Sequence, residues 1–363
     1  MTSLSNYKQN TEAVSLAHLQ NSKGPVRGRE TGRLRCAAVI GGGPSGIQAA
    51  GQLMKRNFHV TVYERHGQLG GIWCYERNNH LSQPSQFQGI KPSLPLEVSP
   101  MYKDLRTNVP YQSMAIDGFA VPRQEEIRFV HRSEILNYLD AYLRHLEQAY
   151  PGQGEYRLNA NIESVTYDRG WSVISCELGT FVKEKFDVVV VATGAFHKPF
   201  NANLHDSEFE GVSFHSLYYD DPAVLDNRTV LIIGGGNSAK DIFWDAMARA
   251  QHVVLACPSE QDRNNVVLPD DHDSKLLESF TSVGRVKRVR KDGTVIHMNW
   301  QGQEEVLDGL GIDMIIYCTG YKKEFPSLKS TIDDQYDGAR NARASEINRS
   351  FGRSSSFHYR TAR

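Results

Sequence analysis

Two glycine-rich stretches are the parts of this chain whose residue types and spacing could do chemistry. They are Gly41-Gly42-Gly43-Pro44-Ser45-Gly46 and Gly234-Gly235-Gly236-Asn237-Ser238-Ala239. Both follow the spacing G-x-G-x-x-G/A, in which the first glycine permits a tight turn and the second lets the main chain approach a pyrophosphate. The third small residue lets the following helix pack closely on the preceding strand. Each stretch therefore predicts a turn that binds the phosphates of a dinucleotide.

An acidic residue follows the first glycine stretch where a ribose would be bound. Glu64 ends the run HVTVYE, about 20 residues after the glycines, and its carboxylate can accept a hydrogen bond from a ribose 2′-OH. The alternative role for Glu64 is a solvated strand end. After the second stretch the corresponding residue is Cys257, followed by Pro258, so neither a carboxylate nor a guanidinium is expected there. Because the adenosine of FAD has a free 2′-OH, the first turn is the predicted FAD turn, and by elimination the second holds NADH or NADPH.

The apolar patterns beside both turns predict the elements that must position them. The run CAAVI before the first turn is typical of a buried parallel strand, and Ile47, Ala50, Leu53 and Met54 after it have helical spacing. The second turn lies between the apolar run VLII and the helical pattern AKDIFWDAMARA. Strand, glycine turn and helix thus occur twice in the order that a dinucleotide-binding fold requires. We expect an α/β protein with two Rossmann-like dinucleotide-binding domains.

A second kind of binding surface is indicated just after Glu64, in the stretch RHGQLGGIW. Paired glycines there bring the main chain close to a flat group, and Gly71 is followed by Ile72 and Trp73, which supply apolar and aromatic surface. These residues could contact a flavin. Taken alone, Trp73 is better explained as a core aromatic.

The composition indicates a small-molecule function. Among 363 residues, Lys plus Arg number 41 and Asp plus Glu 42, so no overall charge favours nucleic acid or an anionic membrane. The five cysteines are odd in number and scattered, without a C-x-x-C pair, which argues against a disulfide framework, a zinc site or a local redox dithiol. The start of the chain shows no secretory signal, and no apolar run approaches the roughly 18 residues of a membrane span. A reducing cytoplasm fits these features best.

A longer motif resembles that of a known family. Phe209, Gly211, His215, Tyr219 and Asp220 form the pattern F-x-G-x-x-x-H-x-x-x-Y-D, which resembles the identifying motif of the flavin-containing monooxygenases, the class B flavoprotein monooxygenases. In the related Baeyer–Villiger enzymes a tryptophan usually occupies the place of Tyr219. The similarity extends over GGGPSG, LGGIW, LRTNVP, FEGVSFHS, GGGNSAKD and CTGY, in family order.

The resemblance implies a reaction of the N,N-dimethylaniline monooxygenase type. NADPH or NADH would reduce FAD, and the reduced flavin would react with O₂ to give a C4a-hydroperoxide. One oxygen atom would then pass to a soft nucleophile, an amine nitrogen or a thioether sulfur of a small molecule, and the other would leave as water. Because the cofactor carries this chemistry, the protein needs no nucleophile or metal of its own.

The resemblance also assigns roles to individual residues. Thr107 and Asn108 match the family's Thr/Ser-Asn pair, whose asparagine lies beside flavin and nicotinamide, so Asn108 is the predicted catalytic residue. Without the resemblance, Asn108-Val109-Pro110 would be interpreted as a turn. Ser238 and Asp241 match positions that face the nicotinamide dinucleotide, although Asp241 could equally be a first-turn helix acid.

For His215, whose motif links the nucleotide domains of the family, a structural or gating role is favoured over proton transfer. The predicted cofactor-binding residues are Gly41, Gly42, Gly43, Pro44, Ser45, Gly46, Glu64, Gly71, Ile72, Trp73, Thr107, Asn108, Val109, Gly234, Gly236, Asn237, Ser238, Ala239 and Asp241.

The expected domain order follows from the positions of these motifs. Residues 1–34 form an N-terminal tail, and residues 35–206 with 311–335 form the FAD-binding domain. Residues 207–310 form the NAD(P)H-binding domain, which is inserted in the first. Residues 336–363 are Ser- and Arg-rich, lack helix or strand periodicity, and are expected to be a disordered C-terminal tail.

Two departures from the family pattern keep alternatives open. Pro258 stands where NADPH-preferring members have an arginine for the 2′-phosphate, so the coenzyme preference is expected to be relaxed or to lean to NADH. The chain also ends soon after the CTGY motif, where family members continue. A truncated, catalytically impaired nucleotide-binding homologue, or a Baeyer–Villiger-type monooxygenase, therefore remains an alternative function. The sequence leaves the oligomeric state open, with a homodimer as one option. A flavoprotein disulfide reductase is a poorer alternative, because no C-x-x-C lies near the flavin turn.

Overall fold

The computed structural model describes residues 34–75, 99–122, 126–200, 202–267 and 280–322 of the chain. These residues divide into two compact units, one built from residues 34–67 and 145–192 and the other from residues 68–144 and 193–322. In its described part, each unit contains one parallel sheet and one three-stranded antiparallel sheet. The predicted α/β class with two Rossmann-like domains is confirmed.

The elements up to residue 192 include the glycine turn with Gly41, between the first strand and the first helix. Helix α2 begins in the second unit and ends in the first. In chain order they are β1 (Arg35–Ile40), α1 (Pro44–Met54), β2 (Phe58–Tyr63), α2 (Arg132–Ala149), β3 (Gly154–Arg157), β4 (Ala160–Tyr167), β5 (Trp171–Glu177), β6 (Thr180–Phe186) and β7 (Val188–Val191).

Strand β1 lies inside the first parallel sheet, whose strand order is β3-β2-β1-β7. The antiparallel sheet β4-β5-β6 covers one face, where Ala38 and Ile40 share a core with Val165 and Val173. Helix α1 packs on the same sheet through residues such as Ile47, which is completely buried. Burial on both faces explains why the residues before the first turn form a continuous apolar run.

The remaining elements form the second unit, with the second glycine turn between β9 and α3. They are β8 (Val212–His215), β9 (Thr229–Ile233), α3 (Asn237–Arg249), β10 (His252–Ala256), α4 (Glu260–Val267), β11 (Phe280–Val283), β12 (Arg285–Val289), β13 (Val295–Met298), β14 (Glu304–Leu307) and β15 (Met314–Tyr317).

The second parallel sheet has the strand order β11-β10-β9-β15-β8 and is covered on both faces. Val230 and Ile232 of β9 face the core formed with α3, which includes Ile242. Leu231 and Ile233 face the antiparallel sheet β12-β13-β14. This alternation follows from the two-residue period of a strand. The carboxyl end of β9, at Ile233, leads directly into the glycine turn.

The boundaries of the two units differ from the predicted domains. Strand β15, within the segment assigned to the FAD domain, lies between β9 and β8 in the second sheet, with Ile315 paired to Leu231. Its residues Met314, Ile315 and Ile316 are completely buried there, so the strand completes the core of the second unit. Residues 68–144 and 193–206 also belong to the second unit. The predicted terminal tails, apart from Leu34, lie outside the described residues.

None of the helices in the described ranges combines the length with the apolar character that crossing a membrane requires.

Candidate functional site

The first glycine turn leaves an open helix terminus in the first unit. Gly41 has a φ of 105°, and a Cβ on Gly46 would lie 1.8 Å from the carbonyl oxygen of Gly41. Helix α1 begins at Pro44, no side chain caps it, and its first turn holds no acidic residue. The amide groups of such a terminus, with the positive end of the helix dipole, suit a phosphate. The turn therefore fits the pyrophosphate of a dinucleotide.

Glu64 is held against this turn. It is 5% exposed; its Oε2 accepts the backbone N–H of Gly42 at 2.7 Å, and its Oε1 accepts that of His66 at 3.0 Å. A carboxylate oxygen has a second lone pair for a ribose hydroxyl. Glu64 is thus held against the glycine turn and is not a solvated strand end, and the site fits the ADP half of FAD.

The second glycine turn is built in the same way in the second unit. Gly234 has a φ of 141°, and a Cβ there would lie 2.3 Å from the carbonyl oxygen of Cys318. Gly236 precedes helix α3, and among the described residues no side chain caps this helix and a Cβ on Gly236 would meet nothing within 4 Å. Ala239, in the first turn of α3, is completely buried. The first and third positions of the motif therefore serve turning and helix packing, as the spacing predicts, and the space beside Gly236 suits the approach of a phosphate.

Cys257, at the position equivalent to Glu64, is a packing residue. Its thiol is completely buried and donates to the carbonyl oxygen of Gly234 at 3.4 Å. Burial raises the pKa of this thiol to about 12, so it stays protonated at neutral pH. Cys257 itself offers no group that could recognise a ribose.

A cavity of about 250 Å³ in the second unit brings together predicted residues from three separate stretches. Its lining includes the predicted residues Ile72, Trp73, Thr107, Asn108, Asn237, Ser238 and Asp241. Apolar side chains such as Met101, Leu105 and Ile242 complete it. A concave, largely apolar space with a few polar groups is the usual form of a small-molecule site.

Thr107 and Asn108 play different parts at this cavity. Thr107 is 6% exposed; it donates its N–H to the carbonyl oxygen of Val130 at 2.9 Å, and its Oγ1 accepts the Val130 N–H at 3.1 Å. Asn108 is exposed, and its amide makes no hydrogen bond within the described part of the chain. Thr107 therefore anchors the segment, and the amide of Asn108 lies exposed at the cavity.

The stretch with the paired glycines forms a short 3₁₀ helix, Gly71–Trp73. Gly70 has a φ of 128°, and a Cβ on it would lie 2.6 Å from Leu136 Cδ1, so this glycine is needed for packing. Ile72 and Trp73 are half-buried and line the cavity, whereas Gly71 and Val109 do not. Trp73 thus lies at the edge of a site and not in a core.

Tyr102 is a residue that sequence reasoning missed. It lines the cavity, and its hydroxyl donates to Oδ2 of Asp241 at 2.7 Å. Burial raises the pKa of the Asp241 carboxyl above its usual value, and the hydrogen bond from Tyr102 opposes that shift. The two residues lie far apart in the sequence, so no local pattern could reveal the contact. Asp241 is therefore a hydrogen-bonded carboxyl at the cavity. The alternative of a first-turn helix acid is wrong, because α3 begins at Asn237 and its first turn holds no acidic residue.

The second half of the signature motif holds the segment that carries Asn108. Asp220 Oδ1 accepts the backbone N–H of Lys103 at 2.9 Å, and both carboxylate oxygens lie 2.9 Å from the hydroxyl of Tyr75. The guanidinium of Arg132 lies over the Tyr75 ring and donates to the carbonyl oxygens of Tyr102 and Lys103. Asp220 thus positions the main chain five residues before Asn108.

His215 has a structural role, as favoured from the motif. Its Nδ1 accepts the N–H of Leu217 at 3.1 Å, so Nε2 carries the hydrogen and donates to the carbonyl oxygen of Gly320 at 2.9 Å. Burial lowers the pKa of the ring to about 4. With both nitrogens engaged and the ring neutral, His215 is not placed to move a proton.

Residues 34–262 match the FMO-like family, described as flavin-binding monooxygenase-like. The chain belongs to this family. Flavin-binding monooxygenase-like proteins bind FAD and use NADPH, and the two glycine turns fit those cofactors as described above.

The relatives of this flavin-binding monooxygenase-like chain include plant enzymes. It is 30% identical over 321 residues to flavin-containing monooxygenase FMO GS-OX5 of Arabidopsis thaliana, and the match covers 83% of this chain and 64% of that protein. The chain therefore spans less than two thirds of the length of this relative.

Two solved structures resemble the chain. S-allyl-L-cysteine S-oxygenase from Allium sativum is 26% identical with a TM-score of 0.63, over 80% of this chain and 64% of that one. A flavin-containing monooxygenase from Stenotrophomonas maltophilia shares the fold at a TM-score of 0.58 and 21% identity, over 81% of both chains.

Proposed function

We propose that this protein is an FAD-dependent, NAD(P)H-consuming monooxygenase that transfers one oxygen atom of O₂ to a soft nucleophile. A thioether sulfur is the preferred acceptor, and an amine nitrogen is the second. The observation that carries the proposal is the cavity that joins Asn108 to Ser238 and Asp241 beside the second glycine turn. Similarity to an S-oxygenase of S-allyl-L-cysteine supports sulfur as the acceptor.

The residues of the chain would divide the work of binding between them. The first turn and Glu64 would hold the ADP half of FAD, and the second turn would hold the pyrophosphate of the nicotinamide coenzyme. When bound, FAD supplies the redox chemistry: it takes hydride from NAD(P)H and activates O₂. The apolar lining of the cavity would exclude water, which would otherwise promote loss of the activated oxygen as hydrogen peroxide.

Asn108 would orient the reacting groups. A carboxamide donates through its N–H groups and accepts through its oxygen without adding charge, so it can bind both an oxygen atom and an N–H group at the edge of the flavin or nicotinamide. Its neighbour Thr107 keeps the main chain fixed through Val130. Loss of the amide should therefore impair oxygen transfer more than cofactor binding.

The test is oxygen transfer by the purified, FAD-loaded chain. A simple thioether such as methyl p-tolyl sulfide should raise NAD(P)H consumption, and ¹⁸O₂ should label the sulfoxide. Asn108→Ala should lower sulfoxide formation about 100-fold with FAD content unchanged. Asn161→Ala, at an exposed position of β4, should leave both quantities unchanged.

Two outcomes would contradict the proposal. Coenzyme binding without retained FAD would indicate a nucleotide-binding protein instead of an oxygenase. Retained FAD with coenzyme consumption that no thioether or amine increases, and without labelled product, would exclude oxygen transfer.

A further inference from the structure

Two carboxylates lie one turn apart on helix α3, and each accepts a hydrogen bond from a tyrosine. The Tyr102 hydroxyl donates to Oδ2 of Asp241 at 2.7 Å, and the Tyr219 hydroxyl donates to Oδ2 of Asp245 at 2.6 Å. The two tyrosine rings meet edge to face, with 5.8 Å between their centroids. Of these four residues, Tyr102 and Asp241 line the cavity, whereas Tyr219 and Asp245 do not. The chain thus holds two similar pairs, one at the cavity and one beside it.

The groups around Asp241 act on its carboxyl in opposite directions. Burial raises its pKa most, and the hydrogen bond from Tyr102 is the largest effect that lowers it. The like charge of Asp245 raises the pKa, and the charge of Lys240 lowers it least. The thiol of Cys318 also lies close enough to feel this carboxyl, but burial raises the pKa of the thiol and keeps it uncharged. Tyr102 is therefore the main group that favours the ionised form of Asp241.

Tyr102 is well placed to act as a permanent donor. Burial and the nearby Asp241 raise the pKa of its hydroxyl far above the ordinary value of about 10, so the hydroxyl keeps its proton. The main chain around it is fixed, because Arg132 donates to the carbonyl oxygen of Tyr102 at 3.2 Å and Asp220 accepts the next N–H, that of Lys103, at 2.9 Å. The hydroxyl of Tyr102 therefore has a defined position from which to orient Asp241.

The hydrogen bond from Tyr102 engages only one oxygen of Asp241. Within the described residues, Oδ1 of Asp241 receives no hydrogen bond. An ionised carboxylate oxygen accepts N–H groups and attracts positive charge. The nicotinamide end of an oxidised coenzyme offers both, in its carboxamide and in its charged ring.

We propose that Tyr102 is a positioning residue of the cavity, whose hydroxyl holds the Asp241 carboxylate ionised and in one orientation, with Oδ1 available to the nicotinamide end of the coenzyme. This inference rests on the proposed function in one respect, the binding of the coenzyme at the second glycine turn with its nicotinamide in the cavity.

Direct titration of Asp241 tests the inference without any turnover. The full-length, FAD-loaded chain is labelled with ¹³C at the side-chain carboxyl carbon of aspartate, and the NMR signal that is missing from Asp241→Asn belongs to Asp241. The pH dependence of this signal gives the pKa of the carboxyl. Tyr102→Phe keeps the ring and removes the donor, so the pKa of Asp241 should rise by about one unit.

Tyr219→Phe is the matched control, because it removes the same hydroxyl from the neighbouring carboxyl. Asp245 should then take up a proton at higher pH, since its hydrogen bond from Tyr219 is lost. Loss of that like charge should leave the pKa of Asp241 unchanged or lower it. A role of the tyrosines in packing alone would instead affect both variants in the same way. Circular dichroism and thermal unfolding would show that each variant is folded.

Coenzyme binding provides a second measurement. NADP⁺ and 2′-phospho-ADP-ribose differ only in the nicotinamide, so the ratio of their affinities reports the nicotinamide end, and titration of the shared 2′-phosphate cancels. Isothermal titration at several pH values should show this ratio falling about fivefold or more as Asp241 becomes protonated. In Tyr102→Phe the fall should begin about one pH unit higher.

The inference is overturned if the pKa of Asp241 in Tyr102→Phe stays within about 0.3 units of the wild-type value, or rises equally in Tyr219→Phe. It is also overturned if the ratio of affinities does not follow the titration of Asp241. Failure of the proposed oxygenase activity looks different, because both titrations would then give the expected differences while no thioether is oxidised.

Discussion

His215 shows how one buried titratable residue is held in a single protonation state. Its Nδ1 accepts a backbone N–H from Leu217, and its Nε2 donates to the carbonyl oxygen of Gly320. A protonated ring could not accept the Leu217 hydrogen bond. Because burial lowers the pKa of this ring to about 4, unfolded His215 binds a proton at a higher pH than folded His215 does.

This difference predicts how stability depends on pH. The contribution of His215 is fully present above its ordinary pKa of about 6.5 and is lost as the pH falls from there towards the folded value. Between pH 7 and pH 4, the stability advantage of wild type over His215→Gln should therefore shrink by about 2–3 kcal/mol. Urea unfolding at several pH values measures this advantage. A stability advantage that stays constant with pH would contradict the prediction. The control is His59→Gln, at a partly exposed position of β2, which should not show this loss.

The sequence allows some of these residues to be recognised and hides others. Glu64 follows the first glycine turn at a typical distance along the chain, so spacing alone reveals it. Tyr102 cannot be recognised in that way, because its role depends on a contact with Asp241 that forms only in the folded chain. Contacts between distant segments have no local pattern.

At the level of elements, the glycines of the two strand-turn-helix units serve different purposes according to their position in the turn. A Cβ on Gly46 would collide with the carbonyl oxygen of Gly41, so this glycine is required for folding of the turn. Gly236 has an extended conformation, with a φ of −93°, and a Cβ on it would meet no atom of the described residues within 4 Å. The packing of the described part of the second unit therefore does not require Gly236 to lack a side chain.

This contrast predicts that Gly236→Ala affects binding without affecting folding. The free energy of unfolding should change by less than about 0.5 kcal/mol, because the backbone conformation suits alanine and the space is open. The Kd for ADP-ribose should nevertheless rise about tenfold, since the added methyl group occupies the path of the pyrophosphate. Thermal unfolding and isothermal titration measure the two effects. The control is Gly67→Ala, where the added Cβ would lie 3.6 Å from the nearest side-chain atom. An unchanged Kd of Gly236→Ala for ADP-ribose would show that the pyrophosphate does not bind beside Gly236.

Elements beside the turns were predicted correctly, but the sheet to which β15 belongs was not. The apolar runs before both turns are buried strands, as their composition indicates. The run MIIY of β15 has the same composition, and an apolar strand buried on both faces carries no mark of the sheet that it joins. Only the pairing of Met314–Tyr317 with β9 and β8 assigns it to the second unit.

At the scale of the whole molecule, the two nucleotide turns lie in separate units with separate cores. We therefore expect Glu64→Gln to reduce FAD retention without changing the affinity for ADP-ribose at the second turn. In glutamine an amide nitrogen replaces one of the two oxygens that accept from Gly42 and His66, and an unsatisfied buried donor costs about 1–3 kcal/mol.

The flavin-to-protein absorbance ratio after desalting and the Kd for ADP-ribose measure the two turns independently. Glu163→Gln, at an exposed position of β4, should change neither quantity. A parallel loss of FAD and of ADP-ribose affinity in Glu64→Gln would show that the two turns do not act separately.

The place of β15 has a consequence for the biosynthesis of the chain. β8 and β9 emerge from the ribosome well before β15, yet β15 lies between them in the finished sheet. Until it arrives, each of these strands has an edge whose backbone groups await the same partner, and such edges can pair with other chains. The second unit therefore reaches its native strand order only after translation has passed Tyr317, so its nascent form is exposed to misassembly from the synthesis of β8 until then.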